Sequence, residues 1–179
     1  MAKKVFKSNL SQSGIKNMIR ELERYKNSLD RKLQMLISEL LKIGVTVAET
    51  NVSESPLGKY VTLSTNIKPS GKGYEGILLA KGQVMEHEDF APFSVILAIE
   101  FGAGIHYNPV PNPKAELFGY GVGTFPDQTH AFQPDGWYFW DEEKQKWVHS
   151  FGVKATMPMY NADMEIIQNI KKIAEEVFR

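Results

Sequence analysis

The chain has 179 residues, 42% of them hydrophobic, which suits one domain, or one domain plus an extension, with a core of its own. It contains no cysteine, which excludes disulfides and thiolate metal sites. No stretch reaches the ~18 apolar residues of a membrane span. The basic start, MAKKVFKSNLSQSG, is not followed by the apolar run of a secretory signal. Net charge is zero but polarised: residues 1–32 carry nine basic and three acidic side chains, a net +6, and the remainder carries −6. A basic end and an acidic body attract each other between neighbouring copies. Solvated faces without a partner would carry the same charges.

Residues 12–43 read as a long amphipathic helix. Its apolar positions are Ile15, Met18, Leu22, Tyr25, Leu29, Leu33, Leu36, Leu40 and Ile43, always three or four apart, so one face is apolar. Ser11 or Ser13 is placed to cap the start, and Gly44 marks an interruption. Val45 to Asn51 is expected as a short second helix at an angle. A 32-residue helix is a rod of about 48 Å, whereas a compact chain of this length has a radius of gyration of only ~16 Å. The helix therefore spans the body or protrudes from it, and a protruding apolar stripe needs a surface to cover it.

Strand material follows. Lys59 to Thr65 alternates Val61 and Leu63 against Tyr60, Thr62 and Ser64. Tyr74 to Met85 is a second candidate, with Gly76 and Gly82 as bulge points, and residues 69–73 (PSGKG) form the turn between them. Phe93 to Phe101 (FSVILAIEF) reads as a central strand buried on both faces. Together these predict an antiparallel meander packed on the long helix. Residues 102–136 differ: six glycines, five prolines and no period. Irregular segments beyond ~12–15 residues are uncommon in compact domains and usually bind something. Phe118, Tyr120, Phe125 and Phe132 within it argue against a free linker. Trp137–Asp141 and Lys146–Ser150 read as a hairpin. A last helix runs from about Pro158, suited to a first helical turn, with Met159, Ile166, Ile170, Ile173 and Val177 as its stripe.

The expected fold class is thus α+β: an antiparallel sheet packed against a long N-terminal helix and a C-terminal helix. The single domain, 1–179, divides into a helical part (1–51), the sheet (58–101), the interaction loop (102–136), the aromatic hairpin (137–150) and the C-terminal helix (157–179).

Sites of chemistry are sparse. His87, His106, His130 and His149 match no metal-ligand spacing, and His87-Glu88 lacks the second histidine of a zinc-protease helix. Gly119 to Thr124 neither follows a strand nor contains the Lys-Ser/Thr of a phosphate loop. His130 with Asp127 or Asp135 makes a triad only on paper, since acids and hydroxyls are plentiful. Glu142-Glu143 falls at a hairpin tip and reads as a solvated turn. No catalytic residue, metal or cofactor is therefore assigned. Trp137, Tyr138, Phe139, Trp140 and Trp147 place five aromatics in eleven residues. Alternation puts Trp137 and Phe139 on one face and Tyr138 and Trp140 on the other, so both need cover. Such rings suit a core or a protein interface, or a sugar-stacking platform. A nucleic-acid platform would have Lys and Arg beside them, and here Asp135, Asp141, Glu142 and Glu143 stand nearby.

Four segments occur in order: AIEFGAG (98–104), GYGVGTFP (119–126), GWYFW (136–140) and HSFGVKATMPMYNA (149–162). The set resembles the head–tail connector family of long non-contractile-tailed bacteriophages, with Ile99-Glu100-Phe101-Gly102 and Met157-Pro158-Met159-Tyr160 carrying the likeness. The resemblance spans about 65 residues and leaves 1–40 as a generic amphipathic helix. The long 105–135 insert departs from short members of that family. It implies a structural virion protein, a neck or tail-completion subunit made in the host cytoplasm, with no catalytic residue. Such a subunit acts by forming a ring, hexameric or larger, between portal-side and tail-side proteins around a channel that DNA passes. A ring joins one face of each copy to a different face of the next, and the long helix and loop supply candidate faces. Interface or core candidates are Ile99, Glu100, Phe101, Gly102, Phe118, Tyr120, Phe125, Trp137, Tyr138, Trp140, Trp147, Met157, Pro158, Met159 and Tyr160. Glu100, if buried, needs a Lys, an Arg or backbone N–H groups; the simpler expectation puts it at a strand end, partly solvated. The alternative function is a cell-wall-directed hydrolase or a carbohydrate-binding module built on the aromatic and histidine region.

Overall fold

In a computed structural model the 3–4 apolar spacing becomes one uninterrupted helix, α1 (Gln12–Ser53). The structure describes residues 5–7, 9, 11–71, 73–87, 90–104, 112–120, 134–141 and 144–179, with the backbone alone at 85–87, 90–93, 139 and 140. The 42 residues of α1 make a rod of about 63 Å. Ser11 caps it, its Oγ accepting from Gly14 N at 3.1 Å. The break expected at Gly44 does not occur, and Val45 to Asn51 continues α1 instead of forming a second helix. Gly44 is a contact point: a Cβ there would lie 2.6 Å from Ile166 Cδ1 and 3.3 Å from Leu78 Cδ2. One interior glycine costs a helix only ~1 kcal/mol, which close packing of three elements offsets.

The C-terminal helix, α3 (Pro158–Val177), lies antiparallel on the second half of α1. Asn161 Nδ2 donates to Asn51 Oδ1 at 2.9 Å, Ile166 meets Gly44, and Lys32 Nζ sits 5.7 Å from the centre of the Phe178 ring. The order of these contacts fixes the antiparallel sense. Pro158 occupies the first helical turn, as expected.

Among the described residues the strands form three separate antiparallel ribbons: β1 (Val61–Ser70) with β2 (Gly73–Gly82), β3 (Val84–His87) with β4 (Phe90–Ser94), and β5 (Trp137–Asp141) with β6 (Lys146–Ser150). The expected continuous meander is corrected accordingly. β1 is longer than its alternating core suggested and runs through Pro69, which an edge strand tolerates. Gly76 and Gly82 are not bulges. They pair in register with Ile67 and Val61 and admit close neighbours: a Cβ on Gly76 would be 2.5 Å from Ile37 Cγ2, and one on Gly82 2.7 Å from Ile96 N. The register shift falls between Met85 and His87.

The largest correction concerns Phe93 to Phe101. β4 ends at Ser94, and the rest of the run is a helix, α2 (Val95–Phe101). A short wholly apolar run has no period to separate a strand from a buried helix. The fully buried residues are Val95, Ala98 and Ile99, each 0% exposed. They stand three and four apart, which is one face of a helix. Gly102, at φ +78°, ends α2 in a conformation that glycine adopts freely. Around this helix Ala98 and Ala103 form a small core against Leu57, Leu97, Tyr120, Trp137 and Val153.

Candidate interaction site

Residues 99–102 and 157–160 meet in space, and Glu100 joins them. Glu100 lies on the last turn of α2 and is 8% exposed. Its Oε2 accepts from Met159 N at 2.9 Å and its Oε1 from Tyr160 N at 3.0 Å. These are first-turn N–H groups of α3, which have no partner within their own helix. The helix needs the help, because Met157 before it is at φ +54° and offers no capping side chain. A carboxylate at a helix N-terminus also meets the positive end of the helix dipole. Asn112 completes the set: its Nδ2 donates to Glu100 Oε1 at 2.8 Å and to Glu100 O at 3.2 Å, and its Oδ1 accepts from Lys114 N at 2.9 Å. The partly solvated position expected for Glu100 is therefore corrected, and the backbone partners required of a buried carboxylate are present. Burial pushes the Glu100 carboxyl above the ordinary glutamate range, and the hydrogen bonds from Met159, Tyr160 and Asn112 pull it back only in part.

Backbone bonds secure the same junction. Thr156 N and Met157 N donate to Ile99 O at 2.9 and 3.3 Å, and Ala103 and Val153 exchange bonds of 2.9 and 2.7 Å. Gly152 sits beside this bridge at φ +132°, where a Cβ would run into the Ala103 carbonyl oxygen. Gly152→Ala is expected to cost about 2–4 kcal/mol through strain and clash, read as a shift of the urea midpoint without a change of slope.

The junction gathers Ile99, Glu100, Phe101, Gly102, Met157, Pro158, Met159 and Tyr160, with Ile99 and Pro158 fully buried. Phe101 packs edge-on against Tyr120, centroids 4.8 Å apart, and against Phe118 at 6.0 Å. Phe118 and its neighbour Leu117 are exposed on the outer side. Phe125 lies outside the described residues, as do His106 and His130. Trp137 is partly buried against the Ala98–Ala103 core. Sequence reading missed Asn112, which stands between two prolines with nothing in its neighbourhood to mark it. It also missed Lys114, whose Nζ reaches Asp163 Oδ2 at 2.8 Å.

The aromatic hairpin has the predicted strands, with Tyr138 opposite His149 and Trp140 opposite Trp147. Its outer face is not covered as expected: Tyr138 is 67% exposed and Trp147 61%. Tyr138, His149 and Phe151 stack along it, with successive ring centroids 4.6 and 4.4 Å apart. His149 Nε2 bonds the Asp135 carbonyl oxygen at 2.6 Å, which fixes its ring. Among the described residues no group of three or more His, Asp or Glu is placed to hold a metal ion, and no helix is long and apolar enough to cross a membrane. Comparison with protein-family models, with curated proteins and with solved structures finds no match for this chain.

Proposed function

We propose that this chain is a structural subunit that assembles with copies of itself and with other proteins, as a neck or tail-completion component of a tailed phage virion. The observation that carries the assembly reading is the first half of α1, which α3 does not reach and on which Phe6 packs at Tyr25. Its apolar stripe extends beyond the end of α3, and Ile15, Ile19 and Leu22 lie exposed along it. The phage assignment rests on the ordered segments at 98–162, two of which Glu100 ties together.

The test is genetic and direct. The protein is expected in purified virions, and its deletion is expected to leave filled heads and free tails unjoined. Joined, infectious particles from the deletion strain, with the protein missing from wild-type virions, would remove the phage reading. A second reading, a carbohydrate-binding module, is favoured by the exposed Tyr138–Trp147 face. Cell-wall glycan fragments would then change the tryptophan fluorescence saturably, and a flat titration would count against it.

A further inference from the structure

The chain has 21 basic residues and only four are arginine: Arg20, Arg24, Arg31 and Arg179. Three of these four stand on the first half of α1. At 3.6 residues per turn, Lys16, Arg20, Arg24, Asn27, Arg31 and Gln34 fall within about 80° of one another round the helix axis. They make one row along α1, and its cations, Lys16 to Arg31, span about 22 Å. The apolar stripe of Ile15, Leu22 and Leu29 lies on the opposite side. The contacts of the N-terminal segment also fall away from the row. Phe6 packs on Tyr25 and Asn9 lies against Gly14, both more than about 100° round the axis from the middle of the row.

All six side chains of the row are exposed, and its four cations make no ion pair or hydrogen bond among the described residues. Glu23 and Asp30 border the row on one side and Glu21 on the other. Residues 12–32 keep a net charge of +3, six basic against three acidic. Between Arg24, Asn27, Ser28, Arg31 and Lys32 the surface dips into a shallow groove of about 310 Å³. A protein partner fits this row poorly, because protein interfaces are built round an apolar centre depleted of charge. The row holds only Lys, Arg, Asn and Gln, the side chains that contact phosphate oxygens in nucleic acids. Arginine serves there better than lysine, since its planar fork meets two phosphate oxygens at once.

We infer that the row from Lys16 to Arg31 binds the phosphate backbone of a nucleic acid, without regard to its base sequence. Duplex DNA carries one charge per ~1.7 Å of axis, so about 22 Å of helix passes more phosphates than the row has cations. Phosphate contacts position a protein and read no bases, and the row carries no aromatic side chain on which a base would stack. Binding of this kind needs neither the virion reading nor self-assembly, since each copy carries a whole row.

Fluorescence anisotropy of a labelled, random-sequence duplex DNA, titrated with the full chain at several salt concentrations, tests this. Four phosphate contacts predict a slope of log K against log salt of about −4. Arg20→Gln combined with Arg24→Gln is expected to weaken binding roughly tenfold per side chain at ~0.1 M salt and to flatten the slope by about 2. Lys26→Gln combined with Lys171→Gln removes the same charge from outside the row and is expected to leave the slope unchanged. A second arm needs no substitution. Bound DNA is expected to shield Arg20, Arg24 and Arg31, but not Arg179, from an arginine-selective dicarbonyl reagent, read by peptide mass spectrometry. Equal losses in the two double variants, or equal protection of all four arginines, would show attraction by net charge alone and overturn the row. Absence of binding to the duplex at low salt would overturn it outright. Polyglutamate binding as tightly as DNA would give the row to an acidic protein surface instead. Adsorption to phosphatidylglycerol vesicles without DNA binding would give it to a membrane surface.

Discussion

Glu100→Ala is expected to destabilise the protein by about 3 kcal/mol. The substitution removes the acceptor for Met159 N, Tyr160 N and Asn112 Nδ2 at once. Loss of a helix cap costs ~1 kcal/mol, and each buried donor left unpaired adds ~1–3 kcal/mol before relaxation or water relieves it. Glu100→Gln retains one acceptor oxygen but turns an NH₂ towards a backbone N–H, and an intermediate loss of ~1–2 kcal/mol is expected. Urea unfolding of the three proteins measures this. Equal midpoints would mean that α3 is held without its carboxylate cap.

The pH dependence carries a definite sign. Burial raises the Glu100 carboxyl in the folded state above its ordinary value of 4.5, so the folded protein holds that proton more tightly than the unfolded chain. The resulting stabilisation is fully present below the unfolded value and is lost as pH rises through the folded one. Lys114 and Asp163 stand nearby as a charged pair, and Lys114 weakly favours the ionised carboxylate. Acidification from neutral towards the ordinary glutamate value should therefore favour the wild type relative to Glu100→Gln. A difference that stays constant with pH would contradict the burial argument.

Phe101→Ala is expected to cost about 3–5 kcal/mol, as for buried aromatic residues generally. Phe101 is buried, and its ring is the common partner of Tyr120 and Phe118. The loss should not be uniform along the chain. Residues 112–120 are held to the body by Phe101 through two rings, by Glu100 through Asn112 and by the exposed Lys114–Asp163 ion pair. Proteolysis of the variant should therefore begin in that segment, before the α1–α3 pair opens. Wild-type stability, or first cleavage in α3, would show that the segment is anchored elsewhere.

Much of this architecture is legible in the sequence where periodicity is long or the alternation is bounded by turns. The α1 stripe, the α3 stripe with its leading proline, and both strands of the aromatic hairpin are of that kind. Phe93 to Phe101 fails for the converse reason. Burial on all sides removes the polar positions that reveal a period, so a helix of seven residues resembled a strand. Gly44 reads as an interruption and Gly76 and Gly82 as bulge points because local propensity sees a missing side chain, whereas the fold uses the missing volume. The junction was half legible. The sequence makes a partner for Glu100 conditional on burial and favours a solvated strand end, because its partners lie 59 and 60 residues away. Nothing local marks Asn112. The uncovered face of the hairpin was not foreseen, because alternation assigns residues to faces without saying which face is wet.

The central claim is that this chain is built to assemble with copies of itself. Light scattering of the purified protein, across concentration and salt, tests it most directly. The account predicts a closed species of hexamer size or larger that grows with concentration and loosens as salt screens the basic end from the acidic body. A strict monomer at every concentration and ionic strength would contradict it.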